Sequence, residues 1–267
     1  MGNGFYLYCI RLKTNETIEV RETISGDGNI KIIPYHYLEA IVSEVSLAEF
    51  GSDEIQKKAG EDLEWIKVKA QIHEEVIEQA MGKNNSKNIP VIPMQFGVIF
   101  KTIEKLQETL SYNVENFRKS LEYLTGKQEF GVKIFLNQKI FEEFLENSNG
   151  LLLAKKKEAE SMPKGMAFFA KKQAASLIDE IKGKELDKIT GEMNESLFQL
   201  AANFIKAKNL EKDFTGIEEK MILNNFYLIE EPKLKNFQKK VEELKGKFNP
   251  TGIKVNMSGP WPSYHFA

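Results

Sequence analysis

The chain has 267 residues, 42% hydrophobic and 28% charged, a composition that belongs to folded globular proteins and excludes a largely disordered one. Its 37 Lys+Arg and 39 Asp+Glu leave a formal charge of -2, so no global field gathers nucleic acid or an anionic membrane. The length favours two domains over one.

Residues 5–11 alternate aromatic and aliphatic side chains and read as a buried strand. The single cysteine, Cys9, lies in it, which rules out a disulfide within the chain and fits a reducing compartment. Residues 17–22 and 30–33 repeat the strand signal around Gly26-Asp27-Gly28, predicting a hairpin there, and 38–45 continue the sheet. Leu63, Ile66, Ala70, His73, Ile77 and Ala80 follow steps of three and four, which places them on one stripe of a helix that must face a core. After a polar loop at 82–88, residues 91–100 read as a strand reached through Pro90 and Pro93. Thr102 is the expected N-cap of a helix buried through Leu106, Leu110, Val114, Phe117, Leu121 and Leu124 and ended near Gly126.

The second half opens with a strand bearing Phe130, Val132, Ile134 and Leu136, then a short helix with Phe141, Phe144 and Leu145. Residues 164–208 are expected to be helical, bent or split at Gly183 and Gly191. A strand at 221–229, a helix opened by Pro232 with Phe237, Val241, Leu244 and Phe248, and a strand with Ile253, Val255 and Met257 complete the series. The order suits an α+β protein of two domains. An N-terminal ferredoxin-like domain is expected over 1–126, with helices on one face of an antiparallel sheet. A C-terminal ferredoxin-like variant with a long helical segment and a Pro/aromatic tail is expected over 127–267.

Chemical motifs are few. His73-Glu74-Glu75 has the residue types of a general base or half a zinc helix, but position 77 is Ile and not the second histidine a zinc helix needs. With three histidines and one cysteine, a packed or hydrogen-bonded role for His73 is the leading reading, and an enzyme using His73 and Glu74 the alternative. There is no GxxxxGK[ST], GxGxxG or GxSxG pattern. The lysines at 155–157 and 171–172 are diluted by neighbouring carboxylates and read as solvated helix faces. Residues 130–135 lack the basic, glycine-rich pattern of an RNA-binding sheet, which leaves an RNA-binding ferredoxin-like module as a further alternative. No stretch approaches the roughly 18 apolar residues that span a bilayer, and the beginning lacks the features of a signal peptide, so a cytoplasmic location is expected.

The most informative segment is Gly259-Pro260-Trp261-Pro262-Ser263-Tyr264-His265-Phe266-Ala267. Two prolines fix φ and remove two donors, predicting a stiff extended arm, and its aromatic rings must dock on its own domain or on a partner. GPWPSYHF resembles the C-terminal signature of the gas vesicle proteins F and L. Further segments resemble that family in the same order: Tyr6-Leu7-Tyr8-Cys9-Ile10, Val42-Ser43-Glu44-Val45 with Phe50-Gly51, Trp65 with His73-Glu74 and Val76, Pro93-Met94-Gln95-Phe96-Gly97, and Gly126-Lys127 with Glu129 and Gly131-Val132-Lys133. Cys9, Gln95, Val98, Phe130, Ser263 and His265 depart from the family pattern.

The resemblance implies a role in gas vesicle organization, as a minor structural protein or assembly factor. Such a protein binds the major shell protein and other gas vesicle accessory proteins in the cytoplasm, with no cofactor, metal, nucleic acid or membrane. It leaves the oligomeric state open. The expected contact residues are Pro93, Phe96 and Gly97, then Phe168 and Phe169, then Gly259, Pro260, Trp261, Pro262, Tyr264 and Phe266. A very apolar shell subunit aggregates unless its surface is covered before incorporation, and apolar docking surfaces of this kind serve that need.

Overall fold

The structure is a computed structural model that describes residues 2–26, 29–82, 88–161 and 163–267. The chain forms two compact units, one of Met1–Gln128 with Pro260–Ala267, the other of Glu129–Gly259. The tail residues 260–267, expected in the second domain, thus group with the first unit.

The first unit contains β1 (Asn3–Leu12), β2 (Lys31–Tyr35), β3 (Leu38–Ser46), α1 (Leu47–Phe50), α2 (Ser52–Glu61), α3 (Leu63–Ala80), β4 (Val91–Pro93), β5 (Ile99–Phe100) and α4 (Ile103–Leu124). Its antiparallel sheet has the order β2-β3-β1-β4, with β5 also on β1. A register shift between Leu7 and Cys9 marks a bulge in β1. The bulge lets Tyr6, Tyr8 and Cys9 share one core while Leu7 and Ile10 enter another. The first core packs against Val76, Ile77 and Ala80 of α3, the second against Leu106, Leu110 and Leu121 of α4. Helices therefore cover both faces of this sheet, where the sequence predicts one, because β1 and β3 are apolar at successive positions and not only at alternate ones.

The hairpin also lies elsewhere than expected. Residues 17–22 form no strand, and Ile18 and Val20 pack on the core from a loop. The pairing of Tyr35 with Leu38 closes the turn at His36, whose φ is 48°, and Tyr37. The expected turn at Gly26-Asp27-Gly28 and the loop at 82–88 fall partly outside the described residues. Residues 91–100 are two short strands, since Pro93 ends the first and Gly97, at φ 91°, turns the chain before the second. The Thr102 hydroxyl caps α4 by accepting from the Lys105 N–H, as predicted.

The second unit runs through β6 (Lys127–Leu136), α5 (Gln138–Ser148), α6 (Gly150–Ser161), α7 (Lys164–Phe198), β7 (Asn203–Lys206), α8 (Lys212–Thr215), β8 (Lys220–Glu230), α9 (Leu234–Phe248) and β9 (Ile253–Trp261). Its sheet has the order β7-β8-β6-β9, so its second, third, first and fourth strands follow the same sequence of positions as in the first unit. Phe130, Val132, Ile134 and Leu136 of β6 build the core with Phe141 and Leu145 of α5, Ile189, Met193 and Leu197 of α7, and Phe237, Val241 and Phe248 of α9. The long helix runs through Gly183 and Gly191 but stops at Phe198, so residues 201–208, expected to be helical, instead supply the edge strand β7 with Phe204 on it. Strand β9 continues through Pro260 to Trp261, which an edge position allows because its outer N–H groups need no ladder partner.

Candidate functional site

The polar groups with the most unusual surroundings lie in the first unit, around His73 on α3. This helix begins where the Asp62 carboxylate accepts from the Trp65 N–H at 2.9 Å. From there its apolar stripe carries His73 beneath the sheet, 2% exposed, between Ile72, Val76 and Ile77. Leu63, the first member of the predicted stripe, is 74% exposed, because the first turns of α3 run ahead of the core.

Both ring nitrogens of His73 are engaged. Nε2 lies 3.0 Å from the Met94 carbonyl oxygen and must donate, so Nδ1 is the acceptor and the Tyr6 hydroxyl donates to it at 2.9 Å. The Tyr6 oxygen in turn accepts from the Gly97 N–H at 3.1 Å. Burial pushes the imidazole down to about 4, against a smaller opposing effect of the Met94 carbonyl, and pushes the Tyr6 phenol up. The ring is neutral at pH 7 and held in one tautomer. Phe96 completes the cluster, edge-on to both Tyr6 and His73. Tyr8 stacks on His73 and hydrogen-bonds Ser43 Oγ at 2.9 Å while accepting from the Ile24 N–H.

One position round the helix, Glu74 meets the C-terminal segment. The Tyr264 hydroxyl donates to Glu74 Oε1 at 2.6 Å, while Oε2 is buried and makes no hydrogen bond among the described residues. Burial raises the Glu74 pKa, the Tyr264 bond opposes that, and the Glu78 charge adds to it. The Tyr264 hydroxyl is raised in turn, first by burial and then by Glu74. Pro262, Ser263 and Phe266 are buried, whereas Trp261 and Tyr264 are 38% and 37% exposed. Backbone bonds from Tyr264 N–H to the Pro262 carbonyl and from Ala267 N–H to the Ser263 carbonyl fold the segment into a turn.

The expected contact residues therefore fall into distinct places. Phe96 and Gly97 adjoin the Tyr6–His73 pair, and Pro93 is buried opposite Cys9 on β1. Pro262 and Phe266 are buried, and Gly259 and Pro260 are exposed. Phe168 and Phe169 belong to α7 but lie outside the residues whose side chains are described. Sequence reasoning missed the Tyr264–Glu74 bond and the part played by Tyr6. It also missed the ion pair of Arg11 and Glu39 at 2.6 Å, in which Arg11 is wholly buried. The Tyr6-Leu7-Tyr8 pattern was the available signal, because a buried phenol needs a polar partner.

His73 spends both nitrogens on the protein, so its geometry orients β1, α3 and the turn at Gly97 and offers no free nitrogen for proton transfer. Among the described residues no group of three or more His, Cys, Asp or Glu is placed to hold a metal ion, and no helix is long and apolar enough to cross a membrane. In the first unit helices pack on both sheet faces, so among the described residues neither face is an open aromatic platform for stacking bases.

Fold and site together define a class: a two-unit α+β protein, each unit with an antiparallel sheet, whose aromatic C-terminal segment is seated beside a buried tyrosine–histidine cluster. Residues 4–267 match the family described as gas vesicle synthesis protein GvpL/GvpF, and the chain belongs to that family. It is 21% identical to gas vesicle protein L1 of Halobacterium salinarum over the whole of this chain and 91% of that one. It is 19% identical to gas vesicle protein F of Haloferax mediterranei over the whole of this chain and 94% of the relative. The crystal structure of the gas vesicle protein GvpF from Anabaena shares the fold, with a TM-score of 0.70 over 100% of this chain and 98% of that one at 21% identity. That of GvpF from Microcystis aeruginosa has a TM-score of 0.65 over 98% of each chain at 17% identity.

Proposed function

We propose that this protein acts in gas vesicle formation as an accessory or minor structural component that binds the major shell protein and other gas vesicle proteins while the shell is assembled in the cytoplasm. The observation that carries the reading is the family match from residue 4 to residue 267, which takes in both units and the aromatic segment together. The chemistry is consistent with docking: the polar side chains around His73 bond one another and orient the fold.

Apolar side chains left at the surface supply the contact. On α5, Ile140 and Phe144 lie four residues apart, on one helix face, and are 42% and 36% exposed. Leu151 at the start of α6 is 53% exposed. Ile140, Phe144 and Leu151 are the proposed contact of the second unit with an apolar shell subunit, whose exposed surface they would cover before incorporation, and Trp261 is proposed as a separate contact on the first unit.

The test is co-purification of the tagged full-length chain with the major shell protein expressed beside it, compared with Ile140→Ser/Phe144→Ser and with Trp261→Ser. Recovery of the shell protein with the parent chain and a several-fold loss with the α5 pair supports the reading. Recovery no greater than from an untagged control overturns binding, and equal recovery from parent and variants removes these residues from the contact.

A further inference from the structure

Half of the apolar stripe that the sequence places on α3 finds no core. His73, Ile77 and Ala80 are buried, but Leu63 is 74% exposed, and Ile66 and Ala70 are only half-buried. The open part is not a frayed end, because the Asp62 carboxylate caps the helix by accepting from the Trp65 N–H at 2.9 Å. Leu63, Ile66 and Ala70 lie within about 60° of one another round the helix, and Glu74, one turn on, continues their line. There the Tyr264 hydroxyl is bonded to Glu74, with Tyr264 itself 37% exposed. An apolar strip about 16 Å long therefore runs along α3 from Leu63 to the Glu74–Tyr264 bond.

The charges that border this strip select its partner. Glu61 and Asp62 precede Leu63, and Glu64, Glu75 and Glu78 lie on the solvent side of the line, with Lys67 among them paired to Glu64 at 3.9 Å. Lys58 lies instead over the ring of Trp65, on the other side of the helix. The border of the strip is net acidic, so it repels an acidic surface and steers a basic one, while the apolar line asks for an apolar face in return. We propose that the Leu63–Ile66–Ala70 strip docks an amphipathic helix of another protein, with leucine or alanine facing the strip and lysine or arginine along its borders. A helix fits because side chains at steps of three and four form a ridge that packs into the groove of a second helix. A contact of about three turns buries well under ~1,200 Å², which makes it transient, with a dissociation constant on the order of 10 μM. The site belongs to the first unit and stands whether or not the shell protein binds through α5.

The probe is a fluorescein-labelled synthetic helix of about 18 residues, with leucine and alanine on one face and lysine on both borders, added to the full-length protein and followed by anisotropy. A twin with glutamate in place of every lysine and a scramble of the first peptide that has no apolar face are the comparisons. The lysine peptide should bind about tenfold more tightly than either, lose several-fold in affinity as salt is raised, and shift the methyl resonances of Leu63 and Ile66. Leu63→Ser should weaken it about tenfold with little change in melting temperature, since Leu63 is 74% exposed. Tyr112→Ser, at a position 90% exposed on α4, should leave binding unchanged. The proposal is overturned if none of the peptides binds up to roughly 1 mM, or if the twin or the scramble binds as tightly as the lysine peptide. It is equally overturned if Leu63→Ser binds like the parent chain, or if the methyl shifts fall away from α3. The measurement contains no gas vesicle protein besides this chain, so its failure is separate from failure of shell-protein binding.

Discussion

The Tyr264 hydroxyl and the Glu74 carboxylate meet at 2.6 Å across 190 positions of sequence, which fastens the C-terminal segment to α3. Tyr264→Phe deletes this bond and nothing else of similar size. A hydrogen bond to a charged group contributes about 1.5 to 3 kcal/mol when buried. Because Tyr264 is 37% exposed, solvent screening reduces that to about 1 kcal/mol. The loss should appear as faster amide exchange in 262–267, with the melting temperature lowered by only a few degrees; unchanged exchange there would show that the side-chain burial of Pro262 and Phe266 alone seats the segment.

Glu74 itself should set a pH dependence of the opposite sense to an ordinary paired carboxylate. Its folded pKa is raised, chiefly by burial, so the native state holds the proton more tightly than the unfolded chain. The associated stability is present at pH values below the usual carboxylate pKa and is lost as pH rises through the raised value. Glu74→Gln keeps an acceptor for Tyr264 and removes the charge. It should match or exceed the parent's stability at pH 7 and show a flatter profile between pH 4 and 7 in urea unfolding; a variant much weaker than the parent at pH 7 would mean that the carboxylate charge is what holds the segment.

His73 behaves in the reverse way. Its imidazole is pushed down to about 4, so its stability is present above the unfolded value of 6.5 and is lost as pH falls towards 4. A shift of that size corresponds to about 3 kcal/mol between neutral and acid pH, at about 1.4 kcal/mol per unit. His73→Gln should be weaker than the parent at pH 7, since an amide cannot satisfy both Tyr6 and Met94 in the imidazole geometry. Its stability should nonetheless fall less between pH 6.5 and 4, and equal acid slopes in the two proteins would remove His73 as the cause.

Much of the fold was legible because periodicity reports burial. The α4 stripe with its Thr102 cap, the β6 alternation and the Phe237 to Phe248 face all follow from local pattern. What was not legible depends on partners distant in sequence. Residues 17–22 alternate like a strand, yet find no ladder, and pack Ile18 and Val20 from a loop. Helix α2, the segment SDEIQKKAGE, is mostly polar and carries little stripe, so it gave no signal. At the site, His73 was visible as a buried histidine, but the tautomer and Tyr6's part in it follow only from the turn that brings Met94 and Gly97 alongside β1. The tail was expected to dock, whereas its anchor, Glu74, was singled out only with His73 as an alternative catalytic pair, because nothing local links it to Tyr264.

Gly252 is the glycine whose replacement should be felt most in the second unit. It lies at φ 87°, and a Cβ there would stand 2.9 Å from the Asn137 carbonyl oxygen, the Ile140 Cβ and the Phe141 N. Its carbonyl also accepts from the Asn137 N–H at 2.8 Å, which ties the start of α5 to the turn before β9. Backbone strain of about 1 to 2 kcal/mol adds to the clash with backbone atoms that have nowhere to move. Gly252→Ala should therefore lower stability by about 3 kcal/mol or more in denaturant titration. Gly97→Ala, also at positive φ but with its Cβ no closer than 3.5 Å to Ile55, should cost about half as much. Equal losses would mean that strain alone, and not the close approach to α5, fixes the glycine.

The Arg11–Glu39 pair offers a test of how the first unit tolerates buried charge. Arg11 Nε donates to Glu39 Oε1 at 2.6 Å, and its other nitrogens donate to the carbonyls of Ala80 at 2.7 Å and Glu16 at 2.9 Å. One side chain thereby joins β1, β3, the end of α3 and the loop after β1. Arg11→Met leaves the Glu39 carboxylate buried without its counter-charge, a change that costs about 3 to 5 kcal/mol. Arg11→Met/Glu39→Leu removes both charges and should recover much of that loss, but not all, because the Ala80 and Glu16 carbonyls still lose a donor at about 1 kcal/mol each. A double variant as unstable as the sum of its parts would show that the two carbonyl bonds, and not the ion pair, account for the burial of Arg11.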